Sequence, residues 1–291
     1  MEMKFEHNGF GKRLKSMLKV DFRRMFTMRL LYIMVAVCFV MPILILVMTT
    51  MMDGSVTVDP QTGVETVIKG FDNTWQAIGS LSSESSAMNM SLTGMCNINM
   101  LYFFVAVLVC LFVSEDFRSG YAKNLFTVRS KKSDYIISKT LVSFVGGAFM
   151  LLAFFVGTML GGAISGLPFD TGAAGVSGIV MCLLSKIFLV AVFVPIYLAM
   201  SVWAKQKTWL SMVGSFCVGM LFFMMIPMLT PLDATIMNVI LCLAGGALFS
   251  VGLGAVSNLI LKKTFCEIHS NLVQFPPYHD TILWAKQHSK R

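Results

Sequence analysis

The side chains able to carry chemistry are few, and most are placed where they exclude a reaction. His7, His269, His279 and His288 lie near the chain ends, and no HExxH spacing sets two imidazoles on one helix face around a zinc ion. Gly175-Val176-Ser177-Gly178 offers a serine in the spacing of a membrane-embedded nucleophile. Such a serine needs an imidazole base from a neighbouring segment, and no apolar block contains His, so that chemistry is excluded. No acidic pair falls at the centre of an apolar block, which argues against a carboxylate proton relay. Gly11-Lys12 is followed by Arg13, with no Gly five residues before Gly11, so the phosphate-cradling pattern GxxxxGK[ST] is absent. Of the seven cysteines, Cys38, Cys110, Cys182, Cys217 and Cys242 sit inside apolar blocks, Cys96 at the edge of one and Cys266 after the last. None has metal-ligand spacing, and they read as small apolar packing residues. The chain is therefore expected to be no enzyme and to bind no metal or cofactor itself.

Two places remain. Lys186 is the one charged residue well inside an apolar block, where an ammonium costs about 2.5–3.5 kcal/mol on insertion scales. Either it lines a cavity that meets an anionic substrate, or it hydrogen-bonds across helices or snorkels. Asn99, Asn238 and Asn258 read as interhelical hydrogen-bonding or edge residues. The second place is Ser114–Leu141, too long for a simple turn. It opens with Glu115, Asp116, Phe117 and Arg118, and Gly120 breaks the helix. Tyr121–Val128 then gives a short amphipathic helix, with Leu125 and Phe126 apolar and Lys123 polar. A basic run, Arg129–Lys132, follows, and Ser133 and Asp134 are placed to cap a helix that enters the next apolar block through Lys139.

The elements that must position these residues are membrane helices. Hydrophobic residues make up 56% and charged residues 13% of 291, against about 25% charged in a typical soluble domain. Mean hydropathy is +0.75. Six apolar blocks, near 30–52, 98–113, 140–164, 178–203, 209–228 and 236–261, approach or exceed the length that crosses a bilayer, about 20 helical residues. The expected fold is an all-α membrane protein with six transmembrane helices. The first block is too long for a cleaved leader and lacks a small-residue cleavage site.

Charge sets the orientation. Of 23 Lys and Arg, 21 lie at the N-terminus, in 114–140, in 204–208 or in the tail from 262, while the opposite loops hold only Lys69. The positive-inside rule makes the basic side cytoplasmic and places both termini there. The net charge of +8 is thus explained by topology rather than by nucleic acid. Residues 1–29 form a cytoplasmic segment in which Phe10, Leu14, Met17, Leu18, Phe22 and Met25 recur at helical spacing between basic residues. That pattern predicts an amphipathic helix lying on the bilayer surface. Residues 53–97 form an extracellular loop, with a hairpin of Val56–Val58 and 64–68, short helices or loops beyond Trp75, and a sequon at Asn89. Gly157 and Gly161, with Ser250 and Gly254, are small-residue pairs that allow close helix packing. The tail, 262–291, is expected to be cytoplasmic.

The stretch from Glu115 to Lys139 resembles the membrane subunits of type-2 ATP-binding cassette exporters. Their loop between the second and third spans commonly runs acidic, aromatic, two residues, Gly-Thr, a short helix, a basic stretch and a closing Ser-Lys. This chain offers Glu115, Phe117, Gly120, Leu125, Arg129, Ser130, Ser138 and Lys139; it departs at Tyr121, where Thr is usual, and at Lys131, where Arg is common. The resemblance implies a multi-pass permease of a bacterial plasma membrane that pairs as a homodimer or heterodimer and recruits two copies of a separate ATPase, which holds ATP and Mg. Glu115, Phe117, Arg118, Gly120, Lys123, Leu125, Phe126, Arg129 and Lys139 would couple to that ATPase, with the basic helix at 10–27 flanking the contact. The exported substrate would be a peptide, a drug or a lipid-like molecule. The competing reading is a non-transporting membrane scaffold or sensor whose ligand binds the loop 53–97.

Overall fold

In the computed structural model the described residues are 9–58, 65–67, 70–79, 96–128, 132–172, 175–205, 207–223 and 225–273. Nine helices run along them: α1 (Phe10–Thr27), α2 (Arg29–Met52), α3 (Leu101–Arg118), α4 (Tyr121–Val128), α5 (Lys132–Ser165), α6 (Gly175–Ala204), α7 (Thr208–Phe223), α8 (Ile226–Leu229) and α9 (Ile236–Val273). Two one-turn 3₁₀ helices, Thr74–Ala77 and Ile98–Met100, and a two-stranded hairpin, β1 (Val56–Val58) and β2 (Glu65–Val67), complete the described elements. The hairpin is antiparallel, with Val56 opposite Val67 and Val58 opposite Glu65. Its connection lies outside the described residues, as do the sequon at Asn89, the run Arg129–Lys131 and the last 18 residues of the tail (274–291).

Five helices are long and apolar enough to cross a bilayer: α2, α3 with its preceding 3₁₀ turn, α5, α6 and the apolar part of α9. The chain is a helical, multi-pass membrane protein. The block expected at 209–228 differs in form. Its helix, α7, has 16 residues, about 24 Å at 1.5 Å per residue, short of the ~30 Å of hydrocarbon. It stops at Phe223, and four further residues form α8, which carries Pro227 in its first turn. The last helix also continues past Lys262 and Lys263 to Val273, beyond the end expected from its apolar block.

α5 is the spine, and α2 lies against its C-terminal half. A Cβ on Gly157 would collide with the Phe39 carbonyl and the Pro42 ring, and one on Gly161 would sit 2.9 Å from the Ile43 Cα. The small-residue pair therefore serves packing within the chain. The N-terminal half of α5 is covered by α1. Arg13 meets Asp134, Asp21 meets Ser138 and Lys139, and Phe26 meets Phe149 edge to face at 6.1 Å between ring centroids. Contacts that climb together on both helices mean that α1 runs alongside α5 in the same direction. The apolar stripe expected against lipid is thus covered by protein in part: Met17 and Met25 are buried, Leu14, Leu18 and Phe22 are half-buried, and Phe10 is exposed. The chain extends at Met28 (φ −78°, ψ 119°) before α2 begins.

α6 packs along α9 at a second small-residue contact. Pro195 lies inside α6 and has no N–H to give the carbonyl four residues back. That carbonyl, Ala191 O, accepts from Ser250 Oγ of α9 at 3.4 Å. At the opposite end, residues 70–79 are wedged among the helix ends. Thr74 N–H donates to Pro168 O (3.1 Å), Gly70 N–H to Asp53 Oδ1 (2.8 Å), and the Trp75 ring lies between Phe155 and Phe169.

Candidate functional site

Where α1, α3, α4 and α5 meet, four ionic side chains form a closed cluster. Asp116 projects from the last turns of α3 and is fully buried. Its Oδ1 lies 2.6 Å from Arg24 Nη1 of α1, and its Oδ2 lies 2.7 Å from Lys139 Nζ of α5. The same ammonium is 3.0 Å from Asp21 Oδ1. Tyr135 OH donates to Asp116 Oδ2 at 3.0 Å, and Ser138 Oγ donates to Asp21 Oδ2 at 2.5 Å. Two carboxylates and two cations cancel, which is the condition for holding charges in a low-dielectric interior. Two rings close the cluster: Lys139 Nζ stands 3.7 Å from the Phe112 ring centre and the Arg24 guanidinium 4.0 Å from that of Tyr121.

The local sequence explains the placement. Asp21 is four residues from both Met17 and Met25, on the one face of α1 that packs inward. Lys12, Lys15, Lys19 and Arg23 occupy the exposed face. Burial opposes the charge on Arg24, but the Asp116 carboxylate, with Tyr121 and Asp21 behind it, holds the guanidinium above its ordinary pKa. Burial, followed by the charge on Asp21, pushes the Tyr121 phenol up. A second ion pair, Arg13 Nε to Asp134 Oδ2 at 3.1 Å, fixes the start of α1 to the start of α5. Because α5 begins at Lys132, Asp134 sits inside its first turn rather than capping it, where a carboxylate complements the helix dipole.

α4 hangs from this cluster. Gly120, at φ 72°, makes the left-handed turn between α3 and α4. Ser119 Oγ donates to the Glu115 carbonyl at 2.7 Å. The coupling residues proposed from sequence now separate by face. Glu115, Arg118 and Lys123 are exposed. Phe117, Leu125 and Phe126 are half-buried against the core, Phe126 edge-on to Tyr135 at 5.2 Å. Lys139 is 0% exposed and is the hub of the ion cluster, so no partner touches it in this arrangement. Arg129 lies outside the described residues. Of the hub residues, Asp116 was read from sequence only as part of the acidic opening of the 114–141 segment, and Asp21 and Arg24 were not singled out; a lone acid among the apolar residues of a basic helix was the available signal.

Lys186 stands apart from this cluster. It is 0% exposed, and its ammonium donates to Asn99 Oδ1 (2.9 Å) and Thr230 Oγ1 (2.8 Å). Tyr102 OH donates to the Lys186 carbonyl at 2.9 Å. Asn99 thus bonds across helices, as expected, and so does Lys186. Lys186 is not among the residues that line the apolar cavity between α6, α7 and α9. Among the described residues no group of three or more His, Cys, Asp or Glu side chains is arranged to hold a metal ion. Comparison with family models, with curated proteins and with solved structures finds no match.

Proposed function

We propose that this chain is the permease subunit of an exporter driven by a separate ATP-binding cassette ATPase, and that α4 is the element the ATPase grips. The observation that carries this reading is the buried cluster of Asp21, Arg24, Asp116 and Lys139. It binds α1, α3 and α5 into one block directly above α4, while Glu115, Arg118 and Lys123 face outward. A push on α4 would then move three elements together instead of being lost in a loose loop. In this reading the chain crosses the membrane six times, α7 and α8 together making the fifth crossing. Both termini and α4 are cytoplasmic, on the side that holds 21 of 23 basic side chains. The transporter is a dimer of this chain or of this chain with a homologue, in a bacterial plasma membrane. ATP and Mg sit on the ATPase, the substrate is a peptide, a drug or a lipid-like molecule, and no nucleic acid is involved.

Mechanistically, ATP-driven closure of the ATPases favours one state of the dimer, and only contacts that differ between the two states shift that balance. The test is co-purification with an ATPase encoded beside this chain. Lys123→Glu reverses an exposed charge on α4. It is expected to reduce ATPase stimulation by at least about tenfold while leaving thermal unfolding unchanged, as surface changes usually do. Full stimulation in that variant would remove α4 as the coupling element, and absence of any co-purifying ATPase would favour the scaffold reading.

A further inference from the structure

A cavity of about 250 Å³ lies between α6, the α7–α8 break and α9. Its wall includes Leu189, Phe193, Phe222, Ile226, Cys242 and Phe249, and no charged or hydrogen-bonding side chain beyond the Cys242 thiol lines it among the described residues. Water in a protein cavity needs two to four polar partners, so this wall suits hydrocarbon and not water. The floor is deep, with Leu189, Phe193 and Cys242 at 3% exposure or less. The rim is open, with Met225 and Leu241 at 52% and 54%, beside Met228 and Ile240 on the surface that lipid covers. Three rings brace the wall edge to face, Phe193 with Phe222 and Phe222 with Phe249, each pair at 6.4 Å. Such a run of rings resists collapse into the space.

A buried lysine adjoins the wall at Leu189 and Leu229 without itself lining the cavity. Lys186 lies one turn before Leu189 on α6, and its ammonium reaches Thr230, the residue after Leu229; both leucines line the cavity. Both partners of that ammonium are neutral oxygens, from Asn99 and Thr230. A cation held without a carboxylate in a low-dielectric setting attracts an anion strongly. We propose that this cavity binds a single-chain anionic amphiphile of the fatty-acid class, drawn laterally from the bilayer. The chain lies along Phe193, Phe222 and Phe249, and the carboxylate is turned toward the Lys186 end.

The site is tested on the full chain in phosphatidylcholine nanodiscs without any ATPase, so its failure leaves the coupling proposal untouched. The probes are a diazirine-bearing palmitic acid and its methyl ester, followed by irradiation and peptide mapping. The acid is expected to label peptides spanning 222–229 and 241–249 at least about tenfold over those of α2, with unlabelled palmitate displacing it and the ester competing at least about tenfold less well. Cys242→Trp, which fills the cavity, is expected to abolish that labelling, and Lys186→Met to erase the preference for acid over ester. Labelling spread evenly over α2 and α9, or not displaced by palmitate in the unaltered chain, overturns the proposal whatever the variants do. An acid and an ester that compete equally in the unaltered chain overturn the assignment of the anionic head.

Discussion

Lys139 shows how differently one residue reads in sequence and in space. As the close of a Ser-Lys pair at a span mouth it looks like a surface contact; in the fold it neutralises two buried carboxylates at 2.7 and 3.0 Å. Removing one partner from a buried ion cluster costs about 3–5 kcal/mol, because the other charges are left unpaired. Lys139→Met is therefore expected to destabilise the protein by that amount in detergent thermal unfolding. Adding Asp21→Asn, which returns the remaining pair to neutrality, should recover part of the loss. If the double variant is less stable than the sum of the two single changes, the cluster does not act as a charge-balanced unit. The sequence carried a trace of this arrangement in Asp21, an acid on an apolar stripe. It could not show that its ionic partner, Lys139, lies 118 positions away (139 − 21), because ion pairing across such a separation leaves no local pattern.

Among elements, the helices follow from hydropathy and their contacts from small residues and prolines. The blocks near 30–52, 140–164 and 178–203 appear as α2, α5 and α6, extended at their polar ends by residues that hydropathy excludes but helical hydrogen bonding retains. At the polar end of α5, Asp134 and Lys139 find partners on α1 and α3. Periodicity identified α1 as amphipathic but could not say what covers its stripe, since lipid and a neighbouring helix present the same apolar surface. Gly157→Leu should push α2 off α5 at Phe39 and cost about 1–3 kcal/mol by overpacking, read as a lower unfolding temperature. Ser250→Ala removes the donor that replaces the missing N–H of Pro195 and should cost about 0.5–1.5 kcal/mol. An unchanged unfolding temperature there would show that the Ala191 carbonyl is satisfied another way.

For the whole molecule, the number of crossings decides where the ends lie. α7 is short for a span, and the chain crosses six times only if α7 and α8 act together; five crossings would put the tail on the side opposite the N-terminus, whereas Lys132 at the start of α5 donates to the Leu261 carbonyl near the end of α9 at 3.1 Å. The charge distribution, 21 of 23 basic residues on alternating segments, predicts six. A membrane-impermeant thiol reagent should react with a cysteine placed at Lys12 or at Lys263 only after the cytoplasmic face is opened, in a background lacking Cys96, Cys217 and Cys266, and with one at Asp170 in intact cells. Reaction at Lys263 in intact cells would establish an odd number. The contacts of α1 also fix an order of events in biogenesis. Asp21 is synthesised 117 residues before the Ser138 that donates to it, and before Asp116 and Lys139. While the ribosome is still making α3 and α5, α1 has nothing of its own chain to cover Met17 and Met25, and the bilayer surface is the apolar phase at hand. The stripe that reads as a membrane-surface helix in the sequence therefore gains its protein cover only after Ser138 and Lys139 have been made.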